Sequence, residues 1–304
     1  MMKRILSSFA KRFPRAARQW GYAKFNLTDV YDSYVARPVA PVQTPLGFKF
    51  GGLVSQAHKA MQNGTFEPAE VLVLQKLLPL AERFVDVGAN AGYFTCLARC
   101  LGTPVIALEP LPLNLSALYE NLKANDWLDT EVQPVAASDK FGMAMLYGAS
   151  STGASLIDNW AGAPSTFKRT ICLVTLDTVI GDRFRDQRLF IKMDVEGHEY
   201  NALMGAQALM KRDLRPLWLV EITFHEYHPT GHNPTFAATF EILMSQGYRV
   251  FLLHPADLSE VTLSDIQRWT ASGKTDSLAV NYLFVPSDML DIVPKVKAIL
   301  KAAH

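Results

Sequence analysis

The stretch IKMDVEGHEY, residues 191–200, ends an apolar run in Asp194, Glu196, His198 and Glu199. Ionised side chains resist burial unless they are paired, so three carboxylates and an imidazole at the mouth of a core strand call for a reason. Carboxylates placed there can take up a proton or hold a cation. For Glu196 and Glu199 a second reading stays open: they flank the first turn of a following helix, where carboxylates cap the chain and suit the helix dipole. A second group lies in VEITFHEYHPTGH, residues 220–232, with Glu221, His225, His228 and His232. An unperturbed histidine titrates near about 6.5, so His225 or His228 is the candidate general base at neutral pH. Glu221, His225 and His228 can also be read as metal ligands. Pro229 and Gly231, however, make the segment a loop rather than a helix with ligands in register, so no metal is required.

These groups need elements to position them. From about residue 82, apolar β-branched runs alternate with helical patterns, which predicts a parallel sheet covered on both faces. Strands are expected at 83–88, 104–109, 131–136, 188–194, 216–223, 248–253 and 278–286, with helices at 92–101, 112–124, 198–210 and 235–246. Gly247 is expected as the cap of the last helix. Between the third and fourth strands, GMAMLY and RTICLVT predict an inserted hairpin around the polar loop GASSTGAS, ahead of a short helix near LDTVIGD. Residues 45–80 read as an appendage with a strand pair near LGFKFGG and a helix from EPAEVLVLQKLL, Pro68 standing in its first turn. The expected fold class is α/β, a doubly wound, mostly parallel sheet. Its domain spans 81–286, between a basic arm at 1–44 with the appendage and a C-terminal helix at 287–304.

In FVDVGANAGYFT, residues 84–95, an apolar strand runs into a glycine-bearing turn and a helix. That is where ligands gather in an open parallel sheet, because the glycines allow close backbone approach and the helix start offers unpaired N–H groups. Gly88, Ala89, Asn90, Gly92 and Tyr93 form this turn. Asn90 replaces the middle glycine of G-x-G-x-x-G, which argues against a dinucleotide pyrophosphate and so against a nicotinamide dehydrogenase. Some twenty residues on, IALEP ends the second strand in Glu109 and Pro110, placing a carboxylate where it can accept from both hydroxyls of a ribose.

The pattern D-x-G-x-N-x-G resembles the first motif of the class I S-adenosylmethionine methyltransferases. TFEPAEVLVLQKLL, FVDVGANAGYFTCLA, VTLDTVI and IKMDVEGHEYNALMGA, followed by LVEI, together resemble the FkbM family of methyltransferases over about residues 45–286. The resemblance implies S-adenosylmethionine as donor, S-adenosylhomocysteine as product, and methylation of a hydroxyl on a saccharide, a glycan or a related small molecule. Methylation of a peptide side-chain amide, or a binding module without catalysis, are the alternatives. For such a donor, Glu109 would take the ribose, Asp86 and backbone carbonyls the ammonium, and the N–H groups from Asn90 to Tyr93 the carboxylate. Asp194 would receive the acceptor's proton, or hold sulfonium and acceptor in place. His198 departs from the family pattern, where a small residue is commoner, and TFHEYHPTG is unusually rich in histidine.

Composition narrows the partners. Of 304 residues, 30 are basic and 29 acidic, which gives no overall electrostatic reason to bind nucleic acid. The three cysteines are too few and scattered for a disulfide framework, so a reducing, cytoplasmic setting is expected. No apolar run reaches the roughly twenty residues needed to cross a bilayer. From Met1 to Leu27 every charge is positive, while Met2, Ile5, Leu6, Phe9 and Phe13 recur at helical spacing. Two readings stay open for this arm: a basic amphipathic helix on an anionic membrane surface, or a tail packed on its own domain or a second subunit.

Overall fold

The computed structural model describes residues 39–52, 56–148, 153–163, 165–225 and 227–303. The basic arm, and the question of its membrane contact, lie outside them up to residue 38. In chain order the elements are β1 (Val42–Gln43), β2 (Lys49–Phe50), α1 (Gln56–Gln62), α2 (Pro68–Leu77), β3 (Arg83–Val87), α3 (Tyr93–Cys100), β4 (Val105–Leu108), α4 (Pro112–Ala124) and β5 (Glu131–Gln133). There follow β6 (Ala136–Ala137), β7 (Gly142–Tyr147), β8 (Lys168–Val174), α5 (Leu176–Ile180), β9 (Leu189–Met193), α6 (Glu199–Met204), α7 (Gln207–Met210) and β10 (Leu217–Glu221). The chain ends with α8 (Phe236–Met244), β11 (Tyr248–Leu253), β12 (Leu258–Val261), α9 (Leu263–Ser272), β13 (Asn281–Pro286) and α10 (Ile292–Ala302).

Eight strands form one sheet in the order β12-β11-β13-β10-β9-β3-β4-β5. Its centre, β10 through β5, is parallel, and β13 enters antiparallel between β10 and β11. Each central strand is apolar at nearly every position because both faces are covered. Phe84, Phe190 and Leu219 turn toward α2, α3, α4 and α10, while Val85, Ile191 and Trp218 turn toward α5 to α9. Lys192 interrupts this pattern. It lies one strand over from Asp86, its register partner, and is only 3% exposed.

The segment expected as an appendage shares the first of these cores. Val73, Leu74 and Leu77 of α2 are fully buried and pack with Ile292, Val296 and Leu300 of α10. Each such side chain contributes roughly 1.5–3 kcal/mol by leaving water. This packing fixes the start of α2 over the carboxyl ends of the strands, where Glu67 becomes part of the site.

The inserted hairpin is present: β7 pairs antiparallel with β8 from Gly142↔Leu173 to Tyr147↔Lys168. It builds a separate three-stranded sheet with β6. The third expected strand, 131–136, is thereby corrected. It leaves the main sheet after Gln133, because Pro134 has no N–H to continue the ladder, and Ala136–Ala137 pair with β8 instead. The helix expected at 198–210 breaks at Gly205, where a Cβ would stand 2.0 Å from the Ser138 carbonyl oxygen. Gly247 does follow α8 with φ 80°, its N–H bonded to Met244. Three elements were not anticipated: α1, β12 and α9. A signal for the last was present, since Thr262 and Asp265 form a reciprocal capping box. Among the described residues no helix is long and apolar enough to cross a membrane.

Candidate active site

The turn after β3 is built for close approach. A Cβ on Gly88 would stand 1.9 Å from the Asp194 carbonyl oxygen, so glycine is what lets the ends of β3 and β9 meet. Gly88 and Ala89 both donate N–H to the Leu108 carbonyl, tying the turn to β4. Asn90 adopts a left-handed conformation (φ 51°), which asparagine tolerates better than most residues, and this aims its N–H at Glu109 Oε2, 2.8 Å away. The Leu111 N–H bonds Glu109 Oε1 at 2.7 Å. The Asn114 side chain donates a third hydrogen bond, so of the roughly four lone-pair sites on this buried carboxylate one stays open to a ligand. Burial pushes the Glu109 carboxyl up to about 7, against the lowering effect of those three hydrogen bonds.

Glu109 and Asp194 line the same cavity, of about 280 Å³, with Gly88, Ala89, Asn90, Tyr93 and Pro110. This is near the lower end of the ~300–1,000 Å³ usual for small-molecule sites. Asp194, Glu196, Glu221 and Glu67 line the same cavity. Lys192 enters from the floor with Nζ 3.2 Å from Asp194 Oδ2 and 4.7 Å from the Phe94 ring centre. Burial opposes its charge, but the carboxylates of Asp194, Glu67 and Asp86 outweigh that and hold it protonated. Burial likewise raises Glu221, with the charges of Asp194 and Glu196 adding to the effect.

Two groups in this wall were not singled out from the sequence. Glu67 caps α2 in a left-handed conformation (φ 42°, ψ 61°) directly before Pro68. Its Oε2 is buried without a hydrogen-bond partner, and burial pushes its carboxyl up to about 8. Lys192 carried a legible signal, a lone charge inside the apolar run LFIKM, which a buried strand cannot hold without partners.

Several expected roles move. Asp86 is not on the cavity wall: its Oδ2 accepts a 2.6 Å hydrogen bond from Thr95 Oγ1, fastening α3 to β3, so it is not placed to receive a ligand's ammonium. Gly92 also lies off the wall, and a Cβ there would meet the Leu118 side chain at 2.1 Å. The N–H groups of Asn90, Ala91 and Gly92 already have acceptors in Glu109, the Asn90 side chain and Ala89, which removes three of the four donors expected to bind a carboxylate.

The histidine base is corrected as well. His225 is exposed, with its ring nitrogens on the carbonyls of Gly231 and Gly273. His228 packs edge-on against Trp160 and bonds Thr230, and neither histidine lines the cavity. The metal set Glu221, His225 and His228 is therefore not assembled. The histidine on the wall is His198, held to Ser138 Oγ at 3.1 Å and lowered to about 4 by burial, hence neutral.

The acidic motif also builds the cavity's cover. Glu196, left-handed at φ 53°, accepts from Trp160 Nε1 (2.9 Å) and from the Gly153 N–H (3.1 Å), while its carbonyl accepts from Ser155 Oγ at 2.6 Å. Glu199 turns inward and accepts from the N–H groups of Val195 and Gly197. Burial pushes Glu196 up to about 7 and Glu199 to about 8.

The wall fits a sulfonium nucleoside. Glu109 keeps an acceptor site for a ribose hydroxyl, and Glu67, Asp194 and Glu221 gather within 4.8 Å of one another on the same wall. Residues 86–250 match the sequence profile of the methyltransferase FkbM domain. Solved structures similar to this chain include a precorrin-6Y C5,15-methyltransferase from Geobacter metallireducens (13% identity, 71% of this chain and 88% of that one, TM-score 0.36). Another is Aeropyrum pernix fibrillarin with natively bound S-adenosyl-L-methionine (10% identity, 71% and 73%, TM-score 0.35). No curated protein matches the sequence.

Proposed function

This chain belongs to the FkbM family of methyltransferases, and from that premise we propose that it methylates a hydroxyl of a saccharide or a related polyhydroxylated metabolite. It is an S-adenosylmethionine-dependent enzyme; the acceptor is the part proposed. The observation that carries the reading is that Glu109 and Asp194 line one cavity, joining a ribose-binding carboxylate to an acidic acceptor side.

When bound, S-adenosylmethionine supplies an electrophilic methyl on a sulfonium. Glu109 accepts from a ribose hydroxyl and so fixes how deep the nucleoside sits. The Asp194 carboxylate faces the reacting end, which favours a cation there. Holding the acceptor oxygen at roughly 3–3.5 Å from the methyl carbon is worth about 7–11 kcal/mol of the barrier. With His225 and His228 away from the cavity, the hydroxyl proton passes to a carboxylate, for which Asp194 is the nearest to Lys192 and the most open to solvent of that pair. Phe66, Phe94 and Tyr227 on the wall offer apolar faces of the kind a sugar ring packs against.

The test is transfer of labelled methyl from S-adenosylmethionine to a panel of neutral sugars, oligosaccharides and side-chain amide peptides, with the modified atom identified by mass spectrometry. Label on a sugar oxygen supports the reading. Label only on peptide nitrogen overturns it in favour of amide methylation, and donor binding without any transfer favours a binding module.

A further inference from the structure

One carboxylate oxygen from each of Glu67, Asp194 and Glu221 lies within 4.8 Å of the others. They arrive from three separate places: the cap of α2, the turn after β9 and the end of β10. Such a cluster is costly unless something positive sits in it, and Lys192 answers for part of the charge, through Asp194 Oδ2.

Two further atoms show that the cluster is open for a ligand. Glu67 Oε2 is buried, without a partner, in a side chain that lines the cavity. Tyr93, which is not part of the cluster, is 2% exposed, lines the same cavity and has a buried hydroxyl without a partner. Buried polar atoms normally have partners, so two orphans on one wall mark a place where a ligand or its water completes the bonding. The geometry points to a binding site for one hard divalent cation, Mg²⁺, Mn²⁺ or Ca²⁺, held by Glu67, Asp194 and Glu221 on the acceptor side of the cavity. Oxygen-only donors select this class of ion. A shared centre at about 2.3–2.6 Å from each oxygen, the Ca²⁺ range, allows oxygen separations of up to about 4.6–5.2 Å, which covers the 4.8 Å span, whereas Mg²⁺ at about 2.0–2.1 Å would draw the three oxygens to within about 4 Å. Such ions keep several waters, and the Tyr93 hydroxyl is available to hydrogen-bond one of them. Beside the acceptor, the ion would anchor an oxygen-rich substrate; that role rests on the methyltransferase reading, whereas the site itself does not. Glu67 lies outside the segment that matches the FkbM domain.

The test uses the full chain, stripped with a chelator and re-equilibrated, titrated calorimetrically with each of the three ions and separately with S-adenosylhomocysteine. The wild type is expected to bind one ion. Glu67→Gln and Glu221→Gln should each bind it at least about tenfold more weakly, with S-adenosylhomocysteine affinity kept by Glu67→Gln as the sign of an intact fold. No ion binding by the wild type at millimolar concentration, or affinity unchanged in both variants, overturns the site. Failure of the wild type to bind S-adenosylhomocysteine would count against the methyltransferase reading and leave the ion result to stand on its own.

Discussion

Glu196 accepts a hydrogen bond from the Trp160 indole Nε1 at 2.9 Å, and through it the acidic turn after β9 grips the segment 153–163 that covers the cavity. Trp160 is 1% exposed, so its indole N–H has no water to turn to instead. Trp160→Phe keeps the apolar packing and removes the donor. It should cost about 1–3 kcal/mol, the penalty for stranding a buried acceptor, and raise hydrogen exchange across 153–163 more than in the central strands. Uniform exchange throughout the chain would show that the bond does not hold the cover.

Gly197 is needed for the same contact. Its φ is 91°, and a Cβ would come within 2.5 Å of the Trp160 ring. Gly197→Ala should therefore destabilise by about 1–3 kcal/mol from backbone strain alone, and by more if the indole cannot move. A denaturation midpoint equal to that of the wild type would refute this.

Glu109→Ala removes the ribose acceptor and leaves the N–H groups of Asn90 and Leu111 without their partner. Donor affinity measured by calorimetry should fall by roughly 2–4 kcal/mol, or about thirtyfold to a thousandfold. Glu109→Gln, which retains one acceptor oxygen, should fall between the two. Equal affinities would remove Glu109 from the donor site.

Asp194→Asn should leave S-adenosylhomocysteine binding nearly intact while lowering turnover by about a hundredfold or more on any acceptor found. His225→Ala should leave turnover within about twofold, because that ring bonds the carbonyls of Gly231 and Gly273 rather than facing the cavity. The reverse ranking would restore a histidine as the base.

Stability should fall as pH rises between about 6.5 and 8 in the absence of ligand. Burial raises Glu199 from 4.5 to about 8 and Glu109 to about 7, so the folded chain holds protons that the unfolded chain has already lost. Their contribution is complete below the unfolded value and disappears as pH passes the folded one. His198, lowered from 6.5 to about 4, works in the opposite direction only below 6.5. Each fully unequal group changes stability by at most about 1.4 kcal/mol per pH unit. Urea unfolding of the wild type and Glu199→Gln should show a shallower slope in the variant, and a wild-type stability that rose over this range would contradict the sign.

The strand–turn–helix FVDVGANAGYFT was legible because its instructions are local: a short, nearly continuous apolar run, glycines at the turn, a helical repeat after it. The same holds for Glu109 at the end of β4 and for the β7–β8 hairpin. The histidines were misread because a loop's sequence does not say which way its side chains face. His225 follows β10 as expected, yet its ring is drawn outward by two carbonyls, one of them 48 residues away. Of the two readings open for Glu196 and Glu199, the structural one describes their bonds: Glu199 shapes its own turn and Glu196 holds Trp160.

By itself, the sequence determined the central parallel strands, the helices between most of them and the glycine turn at their carboxyl ends, since those depend on neighbours a few residues apart. Only the tertiary structure decided which acids share the other end. Glu67 stands more than a hundred residues before Asp194, and it reaches the cavity because α2 packs with α10 on one face of the sheet. A side chain's company across such a distance is set by the packing of whole elements, which no local pattern encodes.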